Sequence, residues 1–355
     1  MADLHDISIS HAVDLAAYSN DVLHRVNRIL DATDRELFQE LLRKINLLSP
    51  SEFSLRRLSE LLASVRRLND QAYSMLKGQL ELDLREIAVY ESEFAGEMIR
   101  ATGAEMGVSK ISPEHAVAAG NEKPLRGRLM KDWAESLGER RMQRIQDSLA
   151  MGFVEGRTVD EMTTVLRGTR AAMFKDGLLG VDRREAEALV RTAIGHYANA
   201  AREATFAANK DIIKTVMWVS TLDNRTSETC MVRDQMKYSA TDHTPIGHSF
   251  PWLGGPGEAH WNCRSTSIPV LENKLGLGAV ERASMDGPVP AGLTYGKWLT
   301  AQSEERQREI LGASRATLMQ DGKYTLRNFV NNKGRWLTLD ELRTSDKKTF
   351  KRLGL

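Results

Sequence analysis

The sequence is poor in cysteine, with two in 355 residues, which excludes a disulfide framework as the source of its stability. It lacks an apolar run near the ~18 residues of a membrane helix, and it lacks the basic and then apolar stretch of a secretory signal. Charge of one sign is also missing, since 49 Lys and Arg balance 48 Asp and Glu. A formal net charge of +1 excludes a uniformly basic surface for nucleic acid or lipid. We expect a protein of a cytosol-like compartment without a membrane partner.

Proline is scarce in the first part of the chain and concentrated later. Three of the nine prolines precede residue 213, whereas six lie between residues 245 and 290. Because proline is excluded from helix interiors, the first 212 residues can be mostly helical and the remainder cannot. The β-branched and aromatic run at 212–219 predicts a strand. We therefore predict an α+β fold: a mainly helical N-terminal two-thirds with a long helix, followed by a small, loop-rich mixed α/β unit.

The helical part has apolar residues at spacings of three and four, which is typical of amphipathic helices. Two such segments are predicted at about 10–31 and 34–47, and a long helix at about 52–95. The long helix has a heptad-like stripe: Leu55, Leu58, Leu62, Val65, Asn69, Ala72 and Leu76. The polar Asn69 is expected in the core, where it can fix register. Two interpretations stay open, an assembly helix that associates with another chain and an ordinary bundle helix.

Local signals mark several helix ends. Thr158 with Glu161, and Thr338 with Glu341, have the spacing of capping boxes. Ser303 is expected to start a helix that stops at Gly312.

From these patterns we predict four consecutive regions along the chain. They are a helical arm with the long helix, a helical domain, an α+β loop-rich head and a basic tail, at 1–110, 111–211, 212–342 and 343–355.

The residues most able to carry chemistry lie between Asp223 and Arg264. Cys230 and Cys263 are 33 residues apart, and His260 stands three residues before Cys263, so one turn can aim both at one ion. Zinc prefers four Cys or His ligands in a tetrahedron. We predict a zinc site of Cys230, His260 and Cys263, with His248 or His243 as the fourth ligand. Two buried reduced thiols, or a disulfide formed outside a reducing cell, are the alternatives.

The same segment has charged and polar residues that suggest a structural staple for a loop: Asp223, Arg225, Thr226, Asn262 and Arg264. A carboxylate and a guanidinium can tie a loop to its neighbour through bidentate hydrogen bonds. A catalytic role is the competing interpretation. The sequence has no Gly-rich phosphate loop, no His-Glu-x-x-His and no Gly-x-Ser-x-Gly, so we predict no catalytic residues.

The C-terminal tail is locally basic. Four of its residues are candidates for a weak contact with phosphates: Lys347, Lys348, Lys351 and Arg352. The alternative is a solvated helix end.

One segment of the chain resembles the phage Mu F-like minor head protein family. The residues that carry the resemblance are Asp223-x-Arg225-Thr226-x-x-x-Cys230, Tyr238, His260-x-Asn262-Cys263-Arg264 and Pro269. The family pattern ends in His-Pro-Asn-Cys-Arg-Cys, and here Trp261 replaces its Pro and Ser265 its last Cys. A downstream run from Thr294 to Lys323 fits as well, so the resemblance covers about 182–342.

The resemblance implies a head morphogenesis protein of a tailed bacteriophage. Such a protein is structural, is built into the procapsid near the portal or the capsid interior, and in some phages accompanies the DNA into the host. The implied partners are the portal protein, the major capsid or scaffold protein and packaged DNA, and the long helix could self-associate. The implied location is the virion head, with the host cytoplasm during assembly. No enzymatic activity is implied.

An enzyme is the competing class of function. It would be a metal-dependent nuclease that uses the His/Asn/Cys cluster, or a toxin-like transferase, acting during DNA packaging or delivery. A His-Asn-His nuclease needs a metal-binding His on a helix after the first His. The chain has no His after His260, which disfavours the nuclease.

Overall fold

The computed structural model describes residues 4–47, 55–101, 107–270 and 281–355. Helices dominate the first 208 residues, as predicted. They are α1 (Leu4–Ile45), α2 (Leu55–Leu61), α3 (Ala63–Ala101), α4 (Pro113–Glu122), α5 (Met130–Val154), α6 (Val159–Arg167) and α7 (Leu178–Ala208). Strands and short helices follow, which confirms the predicted α+β class. Among the described residues, no helix has both the length and the apolar character that membrane crossing requires.

Helix α1 is continuous where the sequence predicted two segments. The predicted segments end at about 31 and begin again at about 34, but Thr33 lies inside the helix. Its hydroxyl donates a hydrogen bond to the carbonyl oxygen of Ile29 at 2.5 Å, which satisfies a polar group that would otherwise favour a turn. Asp34 accepts from Arg141 of α5 at 2.5 Å, so a contact distant in sequence supports the helix at this point.

The predicted long helix is present, with its C-terminal end at Ala101 rather than near residue 95. It is divided into α2 and α3 at one residue, Leu62. Backbone hydrogen bonds from Leu62 N to Leu58 O, 3.0 Å, and from Arg66 N to Leu62 O, 2.8 Å, continue the helical path. Residues 52–54 of the prediction lie outside the described residues.

Contact patterns divide the chain into two compact units, each built from non-consecutive segments. The helical unit comprises Ala16–Glu86 and Asn121–Ile194, and the strand-containing unit comprises Met1–Leu15, Ile87–Gly120 and Gly195–Leu355. The four regions predicted from the sequence are consecutive stretches of chain, whereas these two units are not. The division into four regions therefore stays a prediction.

The core of the helical unit buries the stripe of the long helix. Leu58, Leu62 and Val65 are at most 1% exposed and belong to a cluster with residues of α1, α5 and α6: Leu37, Leu41, Ile45, Met142, Ile145, Leu149, Met162 and Leu166. Asn69 is fully buried, and its side-chain amide donates to Gly138 O of α5 at 3.1 Å. This stripe therefore faces the protein's own core, as in an ordinary bundle helix.

The strand-containing unit has a four-stranded antiparallel sheet in the order β3-β2-β1-β4. Its strands are β1 (Thr215–Val219), β2 (Lys237–Ser239), β3 (Pro245–Ile246) and β4 (Thr266–Val270), and β5 (Glu281–Ser284) pairs with β6 (Gly287–Pro290) as a separate hairpin. Where β1 pairs with the outer strand β4, Trp218 of β1 lies opposite Ser267 of β4. Trp218 is fully buried in the cluster that holds both cysteines.

The C-terminal part of this unit is helical and has its own apolar cluster. Its helices are α8 (Glu228–Met231), α9 (Tyr295–Thr300), α10 (Glu304–Leu311), α11 (Ala313–Gln320), α12 (Leu339–Ser345) and α13 (Lys347–Leu353). Ser303 caps α10 by accepting a hydrogen bond from Arg306 N, and the helix stops at Gly312, as predicted. The capping boxes of Thr158 and Thr338 are both present.

Candidate metal centre

Cys230 lies in the short helix α8, and Ser227 begins this helix. The Ser227 hydroxyl accepts a hydrogen bond from Cys230 N at 3.4 Å, which is the usual way that a serine caps a helix. Cys230 is 1% exposed and belongs to the apolar cluster around Trp218. The helix thus aims a thiol into the interior of the strand-containing unit.

His260 and Cys263 stand in one tight turn that precedes β4. Cys263 N donates to His260 O at 3.3 Å, and Asn262 has φ 58°, in the left-handed region. Asparagine tolerates this conformation better than most residues. The turn directs both side chains to the same side, toward Cys230.

The three side chains meet at one point. The Sγ atom of Cys230 is 3.1 Å from His260 Nε2 and 3.6 Å from Cys263 Sγ. The three potential ligand atoms all lie within 4.8 Å of one another, and both cysteines are free. These are residue types that bind zinc.

The backbone fixes the orientation of two of these groups. His260 Nδ1 is 2.9 Å from Trp261 O, so this nitrogen carries the hydrogen and Nε2 presents its lone pair to the cluster. Gly257 N donates to Cys263 Sγ at 3.3 Å. Gly257 has φ 89°, and a Cβ there would lie 2.5 Å from Gly195 O, so only glycine fits at this position.

The pKa values of the two thiols are shifted in opposite directions. A hydrogen bond from the Cys230 thiol, together with the nearby His260 ring, holds the pKa of Cys263 well below its ordinary value, although burial acts in the opposite direction. The hydrogen bond to Cys263, with burial, raises the pKa of Cys230. These shifts favour the thiolate at Cys263, and a thiolate is the form that binds metal or reacts.

Neither histidine predicted as fourth ligand belongs to the cluster, which corrects that expectation. Both ring nitrogens of His248 interact with the backbone: Nε2 lies 2.9 Å from Lys237 O, and Nδ1 accepts from Phe250 N at 3.2 Å. His243 stacks on Trp252 with ring centroids 4.5 Å apart. Ser265 stands near Cys230 instead: its hydroxyl donates to Ser220 Oγ at 3.4 Å, and the Ser220 hydroxyl donates to Cys230 O at 2.8 Å.

The predicted staple exists around Asp223, with a different division of roles. The Arg264 guanidinium donates to both carboxylate oxygens of Asp223, at 2.5 and 2.9 Å. The Thr226 hydroxyl donates to the same carboxylate at 3.0 Å, and Arg225 contributes its backbone N–H at 3.0 Å while its side chain is exposed. Asn262 shapes the neighbouring turn through its positive φ.

A second and more deeply buried pair was not predicted. Arg282 donates to both carboxylate oxygens of Asp234, at 2.9 and 3.0 Å, and the two side chains are 7% and 1% exposed. Asp234 also accepts from Ser220 N and Tyr295 N. The partners of Asp234 lie up to 61 residues from it in sequence and form no motif, so only the fold reveals the pair.

The basic tail forms the end of α12 and all of α13, and Leu342 and Phe350 anchor these two helices in the core at 1% and 2% exposure. The four predicted phosphate-contact residues, Lys347, Lys348, Lys351 and Arg352, are all exposed.

The comparison with protein families gives one match. The model of the family described as Phage Mu protein F like protein matches residues 143–268, which include Cys230, His260 and Cys263. This region is similar to the Mu F-like family. The match supports the assignment of the chain to the family that its residues resemble. Comparison with curated proteins and with solved structures gave no match.

The Mu F-like region starts earlier than expected, at residue 143 rather than about 182. The downstream run from Thr294 to Lys323 lies outside the matched residues, so its resemblance stays a prediction. The Mu F-like family is one of structural phage head proteins, and the match suggests a bacteriophage head morphogenesis protein located in the virion.

Proposed function

We propose that this Mu F-like chain is a minor structural protein of a tailed-phage head, built into the procapsid near the portal or on the capsid interior. The observation that carries the proposal is the family match across residues 143–268, which covers the thiol cluster and β1 to most of β4. The expected partners are the portal protein and the major capsid or scaffold protein.

Pairing of the charged groups supports a structural role for this region. In the strand-containing unit, Asp223 binds Arg264, Asp234 binds Arg282, and Glu91 binds Arg202 at 2.6 Å. A general acid, base or nucleophile needs a polar atom that can reach a substrate. Each of these carboxylates instead holds a guanidinium, an arrangement typical of groups that fix loops and helices in place.

Contact with packaged DNA is a secondary part of the proposal. The last helix, α13, exposes Lys347, Lys348, Lys351 and Arg352 while Phe350 holds it on the core. Exposed cations on an anchored helix can bind phosphates without regard to base sequence. Such binding should weaken steeply as the salt concentration rises.

The proposal is tested by locating the protein in heads. Procapsids, filled heads and heads that have released their DNA are purified, and the protein is counted in each by quantitative mass spectrometry. Purified portal protein serves as bait for the full chain, with an equally charged unrelated protein as control. Low and fixed copy number in procapsids, with capture by the portal, is the expected result. Absence from procapsids would overturn the proposal. Loss of the protein on DNA release would show that it is ejected.

A further inference from the structure

We propose that Cys230, His260 and Cys263 bind one zinc ion, and that Ser265 occupies the fourth position of the tetrahedron. This proposal concerns a metal site that the structural role in the head neither requires nor explains. It follows from the geometry around the two sulfur atoms.

The distances within the cluster are close to those of a zinc centre. A tetrahedral zinc ion with bonds of about 2.3 Å to sulfur and about 2.0 Å to nitrogen spaces two sulfurs by about 3.8 Å and sulfur from nitrogen by about 3.5 Å. The corresponding separations here are 3.6 Å between Cys230 and Cys263 and 3.1 Å between Cys230 and His260. Side-chain movements of a few tenths of an ångström complete the geometry.

The chemistry of the donors selects the metal. Two thiolates and an imidazole are ligands for Zn²⁺, whereas Mg²⁺, Ca²⁺ and Mn²⁺ prefer oxygen. His260 already donates from Nδ1 to Trp261 O, which leaves Nε2 as the ligand atom. A ligating histidine almost always has such a hydrogen bond on its other nitrogen. The hydrogen bond from Gly257 N to Cys263 Sγ orients one of the two sulfur ligands in the same way.

Ser265 stands where a fourth ligand would be needed. Its hydroxyl donates to Ser220 Oγ at 3.4 Å, and the Ser220 hydroxyl in turn donates to Cys230 O at 2.8 Å, which places Ser265 beside the residue that carries the first sulfur. A serine hydroxyl is a weaker zinc ligand than a thiolate. The site therefore has three strong ligands and one weak one, and its affinity is below that of a four-ligand structural site.

The positions of the ligands along the chain indicate what a bound metal would do. Cys230 belongs to α8, His260 and Cys263 to the turn, and Ser265 directly precedes β4. One ion would join three backbone segments that are up to 35 residues apart, from 230 to 265. Metal binding to such a preformed site adds to folding stability, because the unfolded chain does not present these ligands together.

The test uses the full chain and four forms of it: wild type, Ser265→Cys, Ser267→Cys and Cys263→Ser. Elemental analysis of wild type purified without chelator should give about one zinc per chain. Cobalt substitution should give the sulfur-to-metal charge-transfer bands and the strong visible bands of a tetrahedral site. Chelator competition then measures relative affinity.

Ser265→Cys supplies a third thiolate at the fourth position and should raise zinc affinity on the order of tenfold or more, the scale on which single groups at a zinc site act. Ser267→Cys is the matched control. It places a thiol two residues further along the chain, inside β4, and it should leave affinity unchanged. Cys263→Ser should abolish binding and lower the melting temperature.

Three results would overturn the proposal. The first is wild type that binds neither zinc nor cobalt at neutral pH under reducing conditions. The second is equal tightening by Ser265→Cys and Ser267→Cys, since added thiols would then act without regard to position. The third is a Cys230–Cys263 disulfide in protein isolated from virions, which would make the pair an oxidised crosslink. Because Ser265→Cys adds a ligand rather than removing one, misfolding of Cys263→Ser does not affect the conclusion.

Discussion

Arg264 binds Asp223 through two hydrogen bonds, 2.5 and 2.9 Å long, and so ties the turn after Cys263 to the loop before α8. Asp223→Asn keeps the size of the side chain and removes its charge. We expect the free energy of unfolding to fall by about 1–3 kcal/mol, the range for a lost charge-assisted hydrogen bond. Chemical denaturation measures it. Arg225→Lys is the control, because Arg225 contributes only its backbone N–H. An equal loss in both variants would contradict this assignment.

The same pair predicts a dependence of stability on pH. Burial raises the pKa of Asp223, but the hydrogen bond and charge of Arg264 outweigh burial, and the net pKa lies below its ordinary value. A depressed pKa stabilises the folded state above the unfolded pKa of about 3.9, and this contribution is lost as the pH falls through the folded pKa.

The stability difference between wild type and Asp223→Asn should therefore be constant from pH 7 to about pH 5 and shrink below about pH 4. Urea denaturation of both proteins across this range tests it. A difference that grows as the pH falls would show that the carboxylate is not stabilised in the folded state.

A test on the long helix distinguishes an apolar stripe buried in the protein's own core from an assembly seam that contacts another chain. Leu62 is 1% exposed in the core of the helical unit, whereas Leu82 on the same helix is 65% exposed. Leu62→Asp buries a charge and removes apolar packing, so we expect a loss of about 3–5 kcal/mol or complete misfolding. Leu82→Asp should change stability by less than about 0.5 kcal/mol. Circular dichroism melting curves compare them. A stable Leu62→Asp protein that fails to enter heads would instead identify an assembly seam.

A substitution at Gly257 tests whether the close backbone approach beside Cys263 requires glycine. Gly257→Ala adds a Cβ 2.5 Å from Gly195 O at a φ of 89°, so strain and a clash act together. We expect a loss of about 2–4 kcal/mol, above the strain of an unfavourable backbone alone. Gly247→Ala is the matched control, because Gly247 has φ 78° with no atom within 4 Å of an added Cβ. It should lose about 1 kcal/mol. Similar melting temperatures for both variants would contradict the close approach to Gly195.

Infectivity separates the structural role from catalysis. A staple mutation acts through folding, whereas a catalytic mutation acts on rate with the fold intact. With Asp223→Asn, infectivity should fall only in proportion to the protein missing from heads, as counted by mass spectrometry. Particles that carry normal amounts of mutant protein, package and adsorb normally and yet fail to infect would point to an enzyme. Cleavage of DNA or modification of a host protein by purified wild type, but not by the mutant, would confirm that outcome.

Local chemistry made several elements predictable. The helix from Ser303 to Gly312 depends on a cap and a glycine within ten residues, and it was predicted to the residue. The approach of Cys230 to His260 and Cys263 was also predictable, because two of the three side chains share one turn. In each case the residues that determine the structure are close in sequence or are of a rare type, as cysteine is in this chain.

Other features depend on the whole fold and left no local signal. His248 has the right chemistry for a ligand, but hydrogen bonds to Lys237 and Phe250 hold it elsewhere. Ser265 was seen only as a missing cysteine, and its hydrogen bond to Ser220 follows from the path of the chain into β4. The pairing of Asp234 with Arg282 joins two ordinary charged residues, which nothing in the sequence distinguishes.

The two outer strands of the four-stranded sheet both contain proline, Pro245 in β3 and Pro269 in β4. Proline has no N–H to donate, so each edge offers an incomplete ladder to an incoming strand. Strand-by-strand growth between copies is therefore disfavoured at both edges, even at high protein concentration. Fibrous aggregation through this sheet should be rare, and association between copies is left to helix surfaces and side chains.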